Sequence, residues 1–104
     1  MRKSSIKRNT KETEISCSLN IDGVGKSTIA TGIGFFDHML EIFANHSQID
    51  LTLEAKGDTH VDYHHTIEDT AYVIAQGITK SLGEKKGINR YGFYYVPMDE
   101  SLSR

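Results

Sequence analysis

Several features that commonly stabilise or target a chain are scarce here. There is one cysteine, Cys17, so no internal disulfide framework can form, and the lone thiol fits a reducing, cytoplasmic setting. No apolar run approaches the roughly 20 residues that a membrane helix needs. Met1 to Arg8 is basic but has no apolar stretch behind it, so it does not read as a secretory leader. Charge is nearly balanced: 12 Lys+Arg against 14 Asp+Glu leave a net charge of −2 and a pI near 6.2. That argues against nucleic acid as a partner, because such binding needs a concentrated basic patch. Internal repeats and low-complexity tracts are also missing. What remains is 104 residues, 38% hydrophobic and 25% charged: one small domain, or a piece of a larger one. A chain of this size still hides about two thirds of its unfolded surface.

Residues 1–5 read as a short flexible arm. From Ile15 to Ile21 apolar residues alternate with Ser16, Ser18 and Asn20, the mark of a half-buried strand. Asp22-Gly23-Val24-Gly25 reads as a turn and Ser27 to Thr31 as a second short strand. After the breaker Thr31-Gly32-Ile33-Gly34, Phe35 to Asn45 has helical spacing, with Phe36, Met39, Leu40 and Phe43 on one face. Ile49, Leu51, Leu53 and Ala55 alternate as a third strand. The longest element runs from about Asp62 to Leu82, where Ile67, Ala71, Ile74, Ile78 and Leu82 recur every three or four residues and predict a helix packed on a sheet. Tyr91 to Val96 reads as a fourth strand, stopped by the only proline, Pro97. The order predicts an α+β fold: a two-layer sandwich in which a roughly four-stranded antiparallel or mixed sheet carries both helices on one face.

Gly23-Val24-Gly25-Lys26-Ser27-Thr28 imitates a phosphate-binding loop. The Walker A pattern requires a glycine where this chain has Asn20, and a helix must follow. Here a short β-branched stretch follows and Gly32 soon interrupts it. The segment therefore reads as a hairpin turn with a lysine at its tip.

Three of the five histidines, His60, His64 and His65, fall within six positions, beside Asp58, Asp62, Glu68 and Asp69. On a helix, Glu68 is four residues from His64 and three from His65, so either histidine can share a face with it. The two histidines diverge by about 100°. They serve two ions in different directions more naturally than they chelate one. Imidazole and carboxylate donors without thiolate suit Mn, Fe, Co, Ni or Zn. Asp62 and Asp69 are candidates to orient the histidine rings. His38, off the apolar stripe of the first helix and flanked by Asp37 and Glu41, is a further candidate ligand. The same pattern also suits a solvated helix start whose acidic residues meet the helix dipole. His46 suits a helix C-terminus. His60 suits a surface turn, and Arg8, Lys11 and Arg90 suit solvated charges.

Taken together, Arg8-Asn9-Thr10-Lys11-Glu12-Thr13, Thr31-Gly32-Ile33-Gly34-Phe35-Phe36-Asp37-His38-Met39-Leu40, Gly57-Asp58-Thr59-His60-Val61-Asp62, His64-His65-Thr66-Ile67-Glu68-Asp69, Gly83 to Arg90 and Pro97-Met98-Asp99-Glu100 resemble the imidazoleglycerol-phosphate dehydratase family. These stretches span nearly the whole chain in the family's order. The resemblance implies a hydro-lyase of histidine biosynthesis that converts D-erythro-imidazole glycerol phosphate to imidazole acetol phosphate with two Mn2+ ions. It implies a fold built twice in tandem, and a cytoplasmic homo-oligomer, a 24-mer in full-length members, with active sites between subunits and no membrane or nucleic-acid partner. Position by position, His38, His64, His65 and Glu68 match metal ligands that also contribute to catalysis. Glu12 matches the acid that closes on substrate and moves a proton, His46 falls in a substrate-contacting stretch, and Arg90 matches a residue that holds the substrate phosphate. These residue types suit the chemistry. The proton to be removed has no adjacent carbonyl to acidify it, so metal on the substrate imidazole must create the electron sink, and a carboxylate must shuttle the proton.

Family chains carry a second repeat with its own histidine and second HHxxE. Residues 1–104 therefore correspond to one half domain, with about 90–104 as the start of a truncated second repeat. Three expectations follow: a truncated dehydratase, a half-length enzyme whose copies pair to complete the site, or a metal-binding oligomerisation module without turnover. The first should expose apolar surface that the second repeat would cover.

Overall fold

A computed structural model describes residues 1–104. Strands β1 (Lys3–Asn9) and β2 (Thr13–Asn20) form an antiparallel hairpin, with Ile6 opposite Cys17. Next come β3 (Ser27–Ala30), α1 (Gly34–Ser47), β4 (Asp50–Gly57) and α2 (His64–Leu82). Strand β4 inserts between β2 and β3, antiparallel to the first and parallel to the second, so the sheet is mixed with order β1-β2-β4-β3. Strand alternation decides the core. β2 buries Thr13, Ile15, Cys17 and Leu19 and turns Glu14, Ser16 and Ser18 away from it; β4 buries Leu51, Leu53 and Ala55. The apolar ones among these side chains form one cluster with Ala44 of α1 and Val73 and Ile74 of α2, so both helices lie on the same face of the sheet. Burial pushes the Cys17 thiol up to about 11, which keeps it protonated and unreactive near neutral pH.

Four expectations are corrected. Residues 3–5 belong to β1 rather than to a flexible arm. That strand has one apolar residue, Ile6, so it carries no hydrophobic alternation to read. The backbone ladder and polar contacts hold it instead: Ser4 Oγ donates to the Gly77 carbonyl at 2.7 Å and Ser81 Oγ donates to Ser4 Oγ at 3.0 Å. Tyr91 to Tyr95 is irregular and exposed, and the strand β5 (Val96–Met98) contains Pro97 instead of ending before it. β5 pairs only with β6 (Ser101–Ser103), a two-stranded ribbon with free edges on which proline is tolerated.

Residues 21–26 do not close a hairpin, because β2 and β3 are not neighbours. The segment steps across the start of β4, and Asp50 Oδ1 accepts the N–H groups of Val24 (3.0 Å) and Lys26 (2.9 Å). A carboxylate from the chain itself thus consumes the amides that a phosphate would need.

The fourth correction is to the phase of the helices: on α1, Met39 and Phe43 of the expected inner stripe are 38% and 40% exposed and Ala44 is the buried residue, and α2 is turned as well. Its buried side is Thr66, Thr70, Val73, Ile74, Gly77 and Ser81. Ile67 and Ala71 of the expected stripe face outward, with Ile67 39% exposed. The helix lies too close to the sheet for bulk. A Cβ on Gly77 would sit 2.7 Å from Leu19 Cδ2, and one on Gly57 would overlap Thr66 Oγ1.

Gly57→Ala should therefore lower stability by about 1–3 kcal/mol through overpacking. Gly34→Ala, at a helix position with open space, should be neutral or stabilising. Urea unfolding midpoints compare the two. At the edge of the sheet, Arg2 clips Asp22 through its guanidinium (2.8 Å) and its backbone N–H (2.8 Å). The guanidinium hydrogen bond, followed by the backbone one, holds the Asp22 carboxyl at about 2. A depressed carboxyl stabilises the fold above its unfolded value, and that contribution is lost as pH falls toward 2. Arg2→Ala keeps the backbone donor, so carboxyl NMR titration should find Asp22 moved part of the way back toward 3.8.

Candidate active site

The topology gathers three segments at one end of the sheet. Thr13 at the start of β2 lies opposite Gly57 at the end of β4, and α2 begins seven residues after Gly57. The turn between β1 and β2 therefore meets the first turns of α2. Thr10 Oγ1 organises that turn by accepting the N–H groups of Glu12 (3.2 Å) and Thr13 (3.0 Å). Thr13 Oγ1 in turn donates to Asp69 Oδ2 at 2.6 Å, tying the turn to the helix. Arg8 adds a second tie. Its Nε stands 3.6 Å from Asp69 Oδ1 and its guanidinium lies 4.6 Å from the centre of the Tyr72 ring. Arg8 is thus a half-buried anchor rather than the solvated charge expected of it.

Asp58 occupies the centre. Its backbone N–H donates to the Glu12 carbonyl at 3.0 Å. Its Oδ2 lies 2.7 Å from Nδ1 of His65, while its Oδ1 is buried without a partner. Hydrogen bonding to Asp58 raises the His65 pKa above the ordinary histidine value, and the charges of Asp58, Glu12 and Asp62 add to this against partial desolvation. Glu12 is therefore close enough for its charge to be felt at His65.

One turn away, His64 Nε2 and Glu68 Oε2 approach to 3.1 Å, with both side chains 68% exposed. The His64 and His65 rings stand edge to face at 78° with centres 5.7 Å apart, so the two imidazoles look in different directions.

The acids expected to orient these rings do other work. Asp62 Oδ1 accepts the His64 backbone N–H at 2.9 Å, in an Asx-type turn that leads into the helix. Asp69 secures Thr13 and Arg8. Asp58, which has no helical spacing to His65, is the residue that sequence reasoning missed. The register of Thr13 against Gly57 is the information that would have found it.

Glu12, His64, His65 and Glu68 are thus brought together, and the other candidates are not. His38 lies in the second turn of α1, toward the same end of the sheet, since β3 runs parallel to β4, but α1 packs on β3 and β4 whereas α2 packs mainly on β1 and β2. His46 lies two turns further along α1, about 12 Å from His38 along the axis. Arg90 follows the far end of α2 in an exposed segment, beside Tyr91. His60 is exposed in the turn before α2.

The donor chemistry of His64, His65 and Glu68 suits a divalent transition ion, yet no three His, Cys, Asp or Glu side chains converge on one point. The chain presents separate partial sets: His64 with Glu68, and His65 through its outward Nε2. Two depressions on the opposite, polar side of the sheet, one lined by Lys3, Ser5, Ser18 and Thr52 and the other by Lys7, Glu14, Ser16 and Lys56, contain no histidine. No helix is long and apolar enough to cross a membrane.

Known proteins share this arrangement of sequence and fold. Residues 31–104 match the family model described as imidazoleglycerol-phosphate dehydratase. A protein of that name from Exiguobacterium sp. is 58% identical over the whole chain, which covers 53% of the relative. One from Polaromonas sp. is 54% identical over 99% of the chain and 50% of the relative. The crystal structure of imidazoleglycerol-phosphate dehydratase from Staphylococcus aureus superposes with a TM-score of 0.77 at 38% identity, over 96% of this chain and 53% of that one. The chain spans about half the length of the relatives it matches. With most of its residues matched by the family model and near-complete alignment to these relatives, the chain belongs to the imidazoleglycerol-phosphate dehydratase family.

Proposed function

We propose that this chain supplies one half of a dehydratase site acting on D-erythro-imidazole glycerol phosphate in histidine biosynthesis. The reaction removes a carbon-bound proton and a neighbouring hydroxyl as water, and the resulting enol becomes the ketone of imidazole acetol phosphate. The observation that carries this reading is the junction of the Glu12 turn with the HHxxE helix start, tied by Thr13–Asp69, Asp58–Glu12 and Asp58–His65. An acid–base carboxylate and two diverging ligand sets at one end of a sheet suit a proton transfer beside two ions.

In this reading His64 with Glu68, His65 through Nε2, and His38 from α1 hold two Mn2+ ions. Bound there, the ions supply Lewis acidity to the substrate's imidazole and hydroxyls. Glu12 sits on a turn held from below, so its carboxylate is free to close over substrate, take the carbon-bound proton and return one to the departing hydroxyl. Arg90 holds the phosphate with a planar, permanently charged fork, and His46 contacts substrate.

A single chain does not bring these parts together, which supports a homo-oligomer whose sites lie between subunits or repeats. The surface agrees. On α2, His64, Ile67, Glu68 and Ala71 share one side by their spacing, and on α1 Phe35, His38, Met39 and Ile42 do so. Ile67, Phe35, Met39 and Ile42 are all at least 37% exposed. The ligands thus lie within bare apolar strips that call for a covering partner. The lack of three converging donors also favours a second reading for the 104 residues alone: a metal-binding, oligomerising module without turnover.

Three measurements test these readings. In a two-repeat chain of the relatives' full length, Glu12→Gln should keep Mn2+ stoichiometry, measured by calorimetry, while dehydration falls roughly 10²–10⁴-fold; loss of metal from that variant would refute its role. His65→Ala should lower the Mn2+ stoichiometry, and an unchanged value would refute its place as a ligand. The 104-residue chain, assayed with and without Mn2+, should take up metal without dehydrating substrate. Turnover would mean that identical copies complete the site and would exclude the module reading.

A further inference from the structure

His65 has two ring nitrogens and only one of them faces outward. A neutral histidine ligates through the bare nitrogen, and the hydrogen bond made by the other nitrogen decides which that is. We propose that Asp58 is the positioning residue of this site: its carboxylate holds the proton on Nδ1 of His65, leaving Nε2 bare, while its backbone N–H pins the Glu12 carbonyl, so that one residue sets both the ligand nitrogen and the seat of the acid–base turn.

Several observations converge on this. The Nδ1–Oδ2 distance is 2.7 Å and the Asp58 side chain is 14% exposed, against 41% for His65, so the bond is shielded on the carboxylate side and open on the imidazole side. Asp58 Oδ1 is buried without a hydrogen-bond partner. An acceptor-only carboxylate in that position would be left without a side-chain donor if His65 carried its proton on Nε2, and a buried carboxylate without a donor is costly. No other acid hydrogen-bonds the ring: Asp62 is engaged at the His64 amide and Asp69 at Thr13 and Arg8, and Glu12 reaches His65 by its charge alone. Glu68 faces His64. The backbone link is independent of the side chain, since Asp58 N–H meets the Glu12 carbonyl at 3.0 Å directly after Gly57, whose lack of a Cβ lets β4 end beneath Thr66.

The consequence for a ligand at Nε2 rests on the metal reading above, but the tautomer itself does not. Long-range 1H–15N correlation of the metal-free chain, recorded at a pH where His65 is neutral, reads the tautomer directly. Wild-type His65 should carry its proton on Nδ1, and Asp58→Ala should shift it toward the Nε2–H form that an unconstrained histidine favours. A wild-type ring protonated on Nε2, or an Asp58→Ala ring unchanged on Nδ1, overturns the proposal. If Asp58→Ala does not fold, Asp58→Asn decides: its amide can offer either an oxygen or an NH2 to Nδ1, so a mixture of tautomers is expected, and an unchanged Nδ1–H ring overturns the assignment. With Mn2+ as the probe, the folded variant should bind about 10–100-fold more weakly than wild type, and equal affinity removes the positioning role toward metal. Absence of Mn2+ binding by the wild type would instead overturn the metal reading and leave the tautomer result standing.

Discussion

The close approach of α2 to the sheet is the constraint on which the rest of this structure depends. The helix has no room for a Cβ above Leu19 or beneath Thr66, and glycines 77 and 57 stand at those contacts. Thr66, Thr70 and Ser81 share the rest of the contact side with Val73 and Ile74, and Thr66 and Thr70 are fully buried. Such a helix gains less from apolar burial than one faced with leucine or isoleucine. It gains position instead. Small residues leave few alternative packings, so the first turn of α2 is held at a fixed height over the end of β4. That height allows Thr13 to reach Asp69 and His65 to reach Asp58.

Acidic residues around the junction then divide the work by what each one faces. Asp62 meets an unpaired amide at the helix start, Asp69 meets a hydroxyl and a guanidinium, and Asp58 meets an imidazole. Glu12 and Glu68 keep exposed carboxylates. Five acids of like charge within one small region would repel one another if all were free. Three are tied to donors, while Glu68 faces only the exposed His64 ring and Glu12 points to solvent. The raised pKa of His65 comes first from its hydrogen bond to Asp58, and the charges of Asp58, Glu12 and Asp62 add to it.

The sequence was legible wherever burial has a simple period. β2 and β4 alternate cleanly because one of their faces meets both helices, and both helices were found within a few residues of their ends. β1 was missed because an edge strand held by serines and charges, with Ile6 alone as its apolar mark, carries no such period. The phase of α2 was misread for a related reason. Hydrophobicity was taken to mark the buried side, whereas close packing selected Thr66, Thr70 and Gly77 and sent Ile67 outward. At the site, helical spacing paired His64 with Glu68 at once, but Asp58 reaches His65 only through strand register, which a single sequence does not display. The placement of His46 and Arg90 away from the cluster is invisible to motif matching, because a motif carries roles without the chain that assembles them.

Donor count and surface composition lead to the same conclusion from separate physics. No three His, Cys, Asp or Glu side chains of this chain meet at one point, and water-exposed Phe35, Met39, Ile42 and Ile67 carry an unfavourable hydration term that only a covering surface removes. The helical spacing places His64 and Glu68 beside Ile67, and His38 beside Phe35 and Ile42. Whatever covers the apolar strips is therefore brought next to these side chains. Burial would supply the energy of association and exclude water from the strips, while, in the proposed reading, the incoming surface would supply the missing donors. Assembly and completion of the site are in that reading one event: a change that weakens the apolar contact should also lower metal affinity, although it touches no proposed ligand.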